Sequence, residues 1–155
     1  MKIRAVKHNN RKKTFEIRTS TKTLVLPFSQ ADPRPTVADP VRQTLLDEEV
    51  GREAFTYVLD SGRTGTVHVE QVLEYNQDPS YLRNLLLYRL TIEAQKRAHA
   101  SPLSKRELVR RLGTSATQLY RILDQTNYRK SVDQVLALLQ VLNCEVDLVV
   151  RTKTA

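Results

Sequence analysis

The sequence predicts an α+β protein. An N-terminal antiparallel β-rich domain spans residues 1–77, and a helical domain with a helix-turn-helix and a C-terminal strand spans residues 78–155. Three observations point to this division. Residues 2–28 and 54–69 alternate polar and apolar positions, the period of a half-buried strand. Residues 79–142 place apolar side chains at three- and four-residue spacing, the period of a helix face. Charge separates the halves as well: residues 1–80 carry 12 Lys/Arg against 11 Asp/Glu, while residues 81–155 carry 13 against 6.

The first half reads as strands and turns. Lys2-Ile3-Arg4-Ala5-Val6-Lys7 and Thr14-Phe15-Glu16-Ile17-Arg18 alternate around a turn at His8–Arg11, and Thr23-Leu24-Val25-Leu26 supplies a third strand. Residues 1–22 hold eight Lys/Arg and one acid, a density that would suit a nucleic-acid arm, although the alternation places most of them on the wet face of a meander. Pro33, Pro35 and Pro40 exclude regular structure from 29–43. One helical turn is expected within Val41–Val50. Ala54–Leu59 and Thr66–Val69, joined by Asp60-Ser61-Gly62-Arg63-Thr64-Gly65, form a hairpin. Ten acids against four bases in residues 23–80 give this domain an acidic flank that would suit a basic protein partner.

Asp78-Pro79 starts a helix, with an N-cap followed by proline at the first helical position. The helix runs to Ala100 and stops at Ser101-Pro102. Apolar residues on several of its sides (Leu85, Leu86, Leu87, Tyr88, Leu90) predict that its first half packs against more than one surface. Ser104 then opens a second helix, with Glu107 at the capping-box position. Leu108, Val109 and Leu112 share a face, and Gly113 closes the helix in the left-handed conformation. Ser115 caps a third helix that buries Leu119, Ile122 and Leu123 and turns Ala116, Thr117, Gln118, Tyr120 and Arg121 outward. Ser131, with Gln134 three residues on, caps a strongly apolar last helix. Glu145-Val146-Asp147-Leu148-Val149-Val150 alternates like a strand and would need a partner, either the N-terminal sheet or its own copy in a second subunit.

Several functions are disfavoured. Cys144 is the single cysteine, which excludes an intramolecular disulfide, and its apolar neighbours mark it as a core residue. No apolar run reaches the roughly 18 residues of a membrane span. No apolar stretch follows the N-terminal lysines as in a secretory signal. A cytoplasmic protein without membrane contact or cofactor is expected. His8, His68 and His99 are scattered, and no phosphate-cradling glycine loop or metal-ligand spacing occurs, so no enzyme is expected. Asp47-Glu48-Glu49 reads as a solvated cluster.

Ser104-Lys105-Arg106-Glu107-Leu108-Val109-Arg110-Arg111-Leu112-Gly113-Thr114-Ser115, with Arg121-Ile122-Leu123 and Ser131-Val132-Asp133, resembles the phage-repressor (XRE) class of helix-turn-helix proteins. The resemblance covers about residues 85–150, and a final helix ending in Leu-x-Cys before an apolar strand is similar to antitoxins and regulators of that class. Two departures stand out. Val109 replaces the usual alanine, and the family's glycine near Gln125 is missing, which assigns a left-handed conformation to Asn127. Residues 1–77 distantly resemble small bacterial β domains of unknown function, some encoded near toxin–antitoxin genes.

The resemblance implies sequence-specific binding of double-stranded DNA by a repressor-type domain acting as a homodimer in transcriptional regulation. The second helix of the motif would enter the major groove. There Ala116 would touch a thymine methyl, Thr117 would bond a base or a phosphate and Gln118 an adenine or a phosphate, with Ser115 at the interface and Arg121 placed for a bidentate contact to guanine. Tyr120 would meet a phosphate or pack on the preceding helix. Lys105, Asn127, Tyr128, Arg129 and Lys130 would clamp phosphates, which positions a protein without reading sequence. Arg106, Arg110 and Arg111 read as a solvated helix face. The alternative function is an antitoxin-like interaction module whose residues 1–77 bind a partner protein.

Overall fold

A computed structural model describes residues 1–153 and has the α+β composition expected. It divides into two compact units, Met1–Leu82 and Arg83–Ala155.

The first unit contains two three-stranded antiparallel sheets. In one, β1 (Ile3–Asn9), β2 (Thr14–Thr19) and β3 (Thr23–Pro27) lie in chain order; in the other, β4 (Val41–Leu46), β5 (Ala54–Leu59) and β6 (Thr64–His68) do the same. The two sheets are stitched where β1 and β4 approach. The Asn10 amide donates to the Val41 carbonyl at 2.9 Å and accepts from its N–H at 3.0 Å, and the Ile3 N–H donates to the Arg52 carbonyl at 2.8 Å. One core serves both sheets. Phe15, fully buried, stands at its centre, with ring centroids 4.8 Å from Phe28, 5.2 Å from Phe55 and 5.1 Å from Tyr57. Tyr57 keeps its hydroxyl satisfied by donating to the Pro33 carbonyl at 2.7 Å, and burial pushes its pKa up to about 12. Gly65 is required beneath that ring, because a Cβ there would lie 2.2 Å from the Tyr57 hydroxyl oxygen.

Four local expectations are corrected in this unit. The first turn falls after Asn9, whose side chain accepts from the N–H groups of Arg11 and Lys12, so His8 and Asn9 extend β1. Val41–Leu46 is a strand, without a helical turn. A bulge between Val41 and Gln43 shifts its alternation, and pairing with β5 decides its conformation. Thr64 and Gly65 belong to β6, which pairs Tyr57 with Gly65 and Val58 with Thr64. Val69 leaves that strand to begin α1 (Val69–Tyr75), a helix the alternation did not announce; it buries Val69, Val72 and Leu73 in the β core.

Helix α2 (Pro79–Ala100) starts where expected. Asp78 accepts from the Tyr81 N–H at 3.1 Å and pairs with Lys22, and Tyr81 packs on the β core, which places the first turn of α2 in the first unit.

In the second unit α2 is joined by α3 (Lys105–Leu112), α4 (Ala116–Leu123) and α5 (Val132–Val141). Their core is Leu87, Ala94, Leu108, Leu119, Ile122, Val135, Leu138 and Leu139, with Cys144 half-buried against it. Within this unit α2 buries a single stripe, Leu87, Thr91 and Ala94, and leaves Leu86 and Tyr88 exposed. The terminal strand is also corrected. Residues Glu145–Val150 join neither sheet, and Leu148, Val149 and Val150 are 75%, 72% and 84% exposed. Alternation alone cannot make a strand, because its backbone groups need a neighbouring strand to bond. Among the described residues no helix is long and apolar enough to cross a membrane.

Candidate nucleic-acid interface

The site is built on two capped helices. The Ser104 hydroxyl accepts from the Glu107 N–H at 3.1 Å, and Gly113, at φ 64°, closes α3 by donating to the Arg110 and Val109 carbonyls. Only glycine adopts that left-handed conformation without cost. Two residues later the Ser115 hydroxyl accepts from the Gln118 N–H at 3.1 Å and starts α4. Glu107 does not complete a capping box. Its carboxylate bridges Arg110 and Arg111 instead, and these guanidinium partners lower its pKa to about 2. Arg110 and Arg111 are thereby tied to their own helix, in keeping with a solvated face.

Buried Leu119 and Ile122 fix the rotation of α4. Ala116, Thr117, Tyr120 and Arg121 consequently face outward, and Gln118 is half-buried beside them. The Lys105 ammonium lies 4.9 Å from the centroid of the Tyr120 ring, a cation–π contact that joins the start of α3 to the middle of α4. Tyr120 therefore packs toward the preceding helix while remaining 55% exposed.

The far end of α4 has no glycine, and side chains replace it. Asn127 donates to the Arg121 carbonyl at 3.1 Å, and Gln95 of α2 donates to the Leu123 carbonyl at 2.7 Å. Lys130 donates to the carbonyls of both Ile122 and Asp124 at 2.7 Å. A cation at a helix C-terminus also complements the helix dipole.

This arrangement corrects the assignment of Lys130 as a phosphate clamp. Lys130 is 4% exposed, its ammonium is turned inward onto two carbonyls, and burial lowers its pKa. Asn127 is corrected too, since it has no left-handed backbone; the residues with positive φ nearest to it are Gly113 and Asn143. Both ends of its amide are engaged with backbone, the oxygen accepting from the Arg129 N–H at 3.1 Å. Tyr128 and Arg129 remain exposed, and the Tyr128 carbonyl accepts from Arg83 at 3.2 Å.

The outcome is a concavity of about 680 Å³ beside the outer face of α4, lined by Gln118, Arg121, Asp124, Thr126, Asn127, Arg129, Lys130 and Gln134. Arg121 and Arg129 are its exposed cations. Its one acid, Asp124, accepts from both the N–H and the hydroxyl of Thr126, and these bonds hold its carboxyl below the usual range. Sequence reasoning missed Asp124, Thr126 and Gln134 as lining residues, and it missed Gln95 and Arg83 as supports. Asp124-x-Thr126 is a turn pattern that could have been read. Gln95 left no signal, because its partner lies 28 residues away.

The first unit carries a second concavity, of about 920 Å³, with an apolar floor that includes Pro27, Phe28 and Val37 and a rim of Arg11, Lys12, Lys13 and Arg34. The acidic flank anticipated for this domain does not line it. Asp39 is tied to Ser61 and Arg63, and Glu48 to Arg52. Among the described residues no His, Cys, Asp and Glu cluster could hold a metal ion. Comparison with protein-family models, curated proteins and solved structures returned no match.

Proposed function

We infer that the chain binds double-stranded DNA in a sequence-dependent manner through α4, and that it acts as a dimeric transcriptional regulator of phage-repressor type. One observation carries this reading: α4 is held at both ends and buried on one side, while Ala116, Thr117, Tyr120 and Arg121 stand exposed beside Arg129. The excess of 13 Lys/Arg over 6 acids in residues 81–155 supports it. Arg121 would read a guanine edge, and Thr117 and Gln118 a base or phosphate. Lys105, Tyr128 and Arg129 would position the backbone. With Lys130 turned inward and Arg121 on a base edge, two cations (Lys105 and Arg129) remain for phosphates. Log K should then fall with log salt at a slope of about −2 per subunit.

Selection of bound sequences from a random duplex library tests the reading. The wild type should enrich one motif, and Arg121→Ala should lose preference at one or two positions, each worth about 1–3 kcal/mol. A wild type that enriches nothing overturns it.

A second reading, an antitoxin-like protein-interaction module, is favoured by the basic rim of the groove in the first unit. That rim would suit an acidic partner segment rather than a basic one. Charge reversal at Arg11 and Arg34 should then abolish partner binding and leave DNA selection unchanged.

A further inference from the structure

We propose that Glu145–Arg151 is the dimerisation element of this protein, and that its occupant is the same segment of a second copy, paired antiparallel about a two-fold axis through Leu148. This names the surface behind the dimer of the preceding reading, and it does not depend on DNA being the ligand.

The chain is delivered into this segment in a defined way. At the end of α5 the Asn143 N–H donates to the Gln140 carbonyl at 3.0 Å and the Cys144 N–H to the Leu139 carbonyl at 2.9 Å, with Asn143 at φ 60°. These two bonds and the left-handed residue form a Schellman closure, and Cys144 packs beneath it on the helical core. Residues 145–153 join neither sheet, and Val146, Leu148, Val149 and Val150 are 51%, 75%, 72% and 84% exposed. Within the segment the Leu148 N–H donates to the Asp147 carboxylate at 2.7 Å, a local bond that a second strand can replace, and a β-branched segment outside any sheet is a template for another strand.

The order of charges, acids at 145 and 147 and a base at 151, favours antiparallel over parallel pairing of two copies. With Leu148 opposite its own copy, Val146 faces Val150, and Glu145 faces Arg151 twice over, once on each side of the axis. Asp147 lies diagonal to Arg151, within reach of its guanidinium. Three of the four apolar residues, Val146, Leu148 and Val150, then share one face of the ribbon, and Val149 lies on the other. Parallel pairing would place Glu145, Asp147 and Arg151 each against its own charge. Centring on Asp147 would oppose two carboxylates. A two-fold axis makes every such contact occur twice, so a short strand can hold two copies together.

Analytical ultracentrifugation of the full chain without DNA reads the result. The wild type should be a dimer, and Leu148→Pro, which removes an N–H from an exposed position, should be monomeric with unchanged helical circular dichroism. Glu145→Arg and Arg151→Glu should each weaken the dimer by about tenfold, from two pairs of opposite charge turned to like charge. The double exchange should restore it. In a Cys144→Ser background, Leu148→Cys should oxidise to a linked dimer and Val146→Cys should not, because Val146 meets Val150. A monomeric wild type, or a dimer indifferent to Leu148→Pro and to both charge reversals, overturns the proposal. Arg121→Ala should leave dimerisation untouched. A dimer that passes these tests yet enriches no DNA motif therefore sinks the DNA reading alone.

Discussion

The two ends of α4 are held by opposite strategies. Its N-terminus uses a neighbour, with the Ser115 hydroxyl meeting an N–H three residues on. Its C-terminus uses distant groups: Asn127 and Lys130 reach back from the following loop, and Gln95 reaches across from α2. A serine cap acts wherever its own helix starts, so it is a property of a few adjacent residues. Carbonyls at a helix end without glycine must find donors in the tertiary structure. The outward face of α4 depends on both, and the two ends should respond differently to mutation.

Lys130→Met should have the largest effect. It keeps the aliphatic stem but strips two carbonyls of their donor, and should cost about 2–3 kcal/mol in urea unfolding. A loss under half of that would mean the buried ammonium contributes little beyond its own desolvation. Ser115→Ala should cost about 1 kcal/mol, the usual value of an N-cap. Gln95→Ala should cost about 0.5–1 kcal/mol, since water can reach the half-buried Leu123 carbonyl. If Gln95→Ala proved costlier than Ser115→Ala, the C-terminal end would depend on α2 more than on its own loop.

The smallest effect belongs to α3 and is seen only with pH. Arg110 and Arg111 depress the Glu107 pKa to about 2 from an ordinary 4.5. The resulting stability is fully present above pH 4.5 and is lost as pH falls toward 2. An NMR titration should place the Glu107 midpoint near 2, and Glu107→Gln should flatten the acid limb of the stability curve. A midpoint at the ordinary value would show that the carboxylate is not bridged.

The same contrast explains which features could be read in the residues. The β5–β6 hairpin, the start of α2 and the caps at Ser104, Ser115 and Ser131 were legible, because each is set by residues adjacent in the chain. Gly113 was legible for the same reason. β4 was not, since a bulge hides its alternation and its partner β5 decides its conformation. Arg129 and Lys130 look alike in the sequence, two adjacent cations after a helix. One is exposed and the other is 4% exposed, and only the carbonyls left open at the end of α4 distinguish them.

The chain alone determined its α+β class, the starts of α2, α3, α4 and α5, the outward residues of α4 and the strand-like alternation of its C-terminal segment. These follow from local periodicity and from caps that span three or four residues. Tertiary structure decided that Lys130 turns inward, that Tyr120 carries Lys105, that Val41–Leu46 is a strand and that Glu145–Val150 joins neither sheet among the described residues. In each case the deciding group lies far away in sequence, and a hydrogen bond or a buried contact exists only once folding has brought its other half alongside.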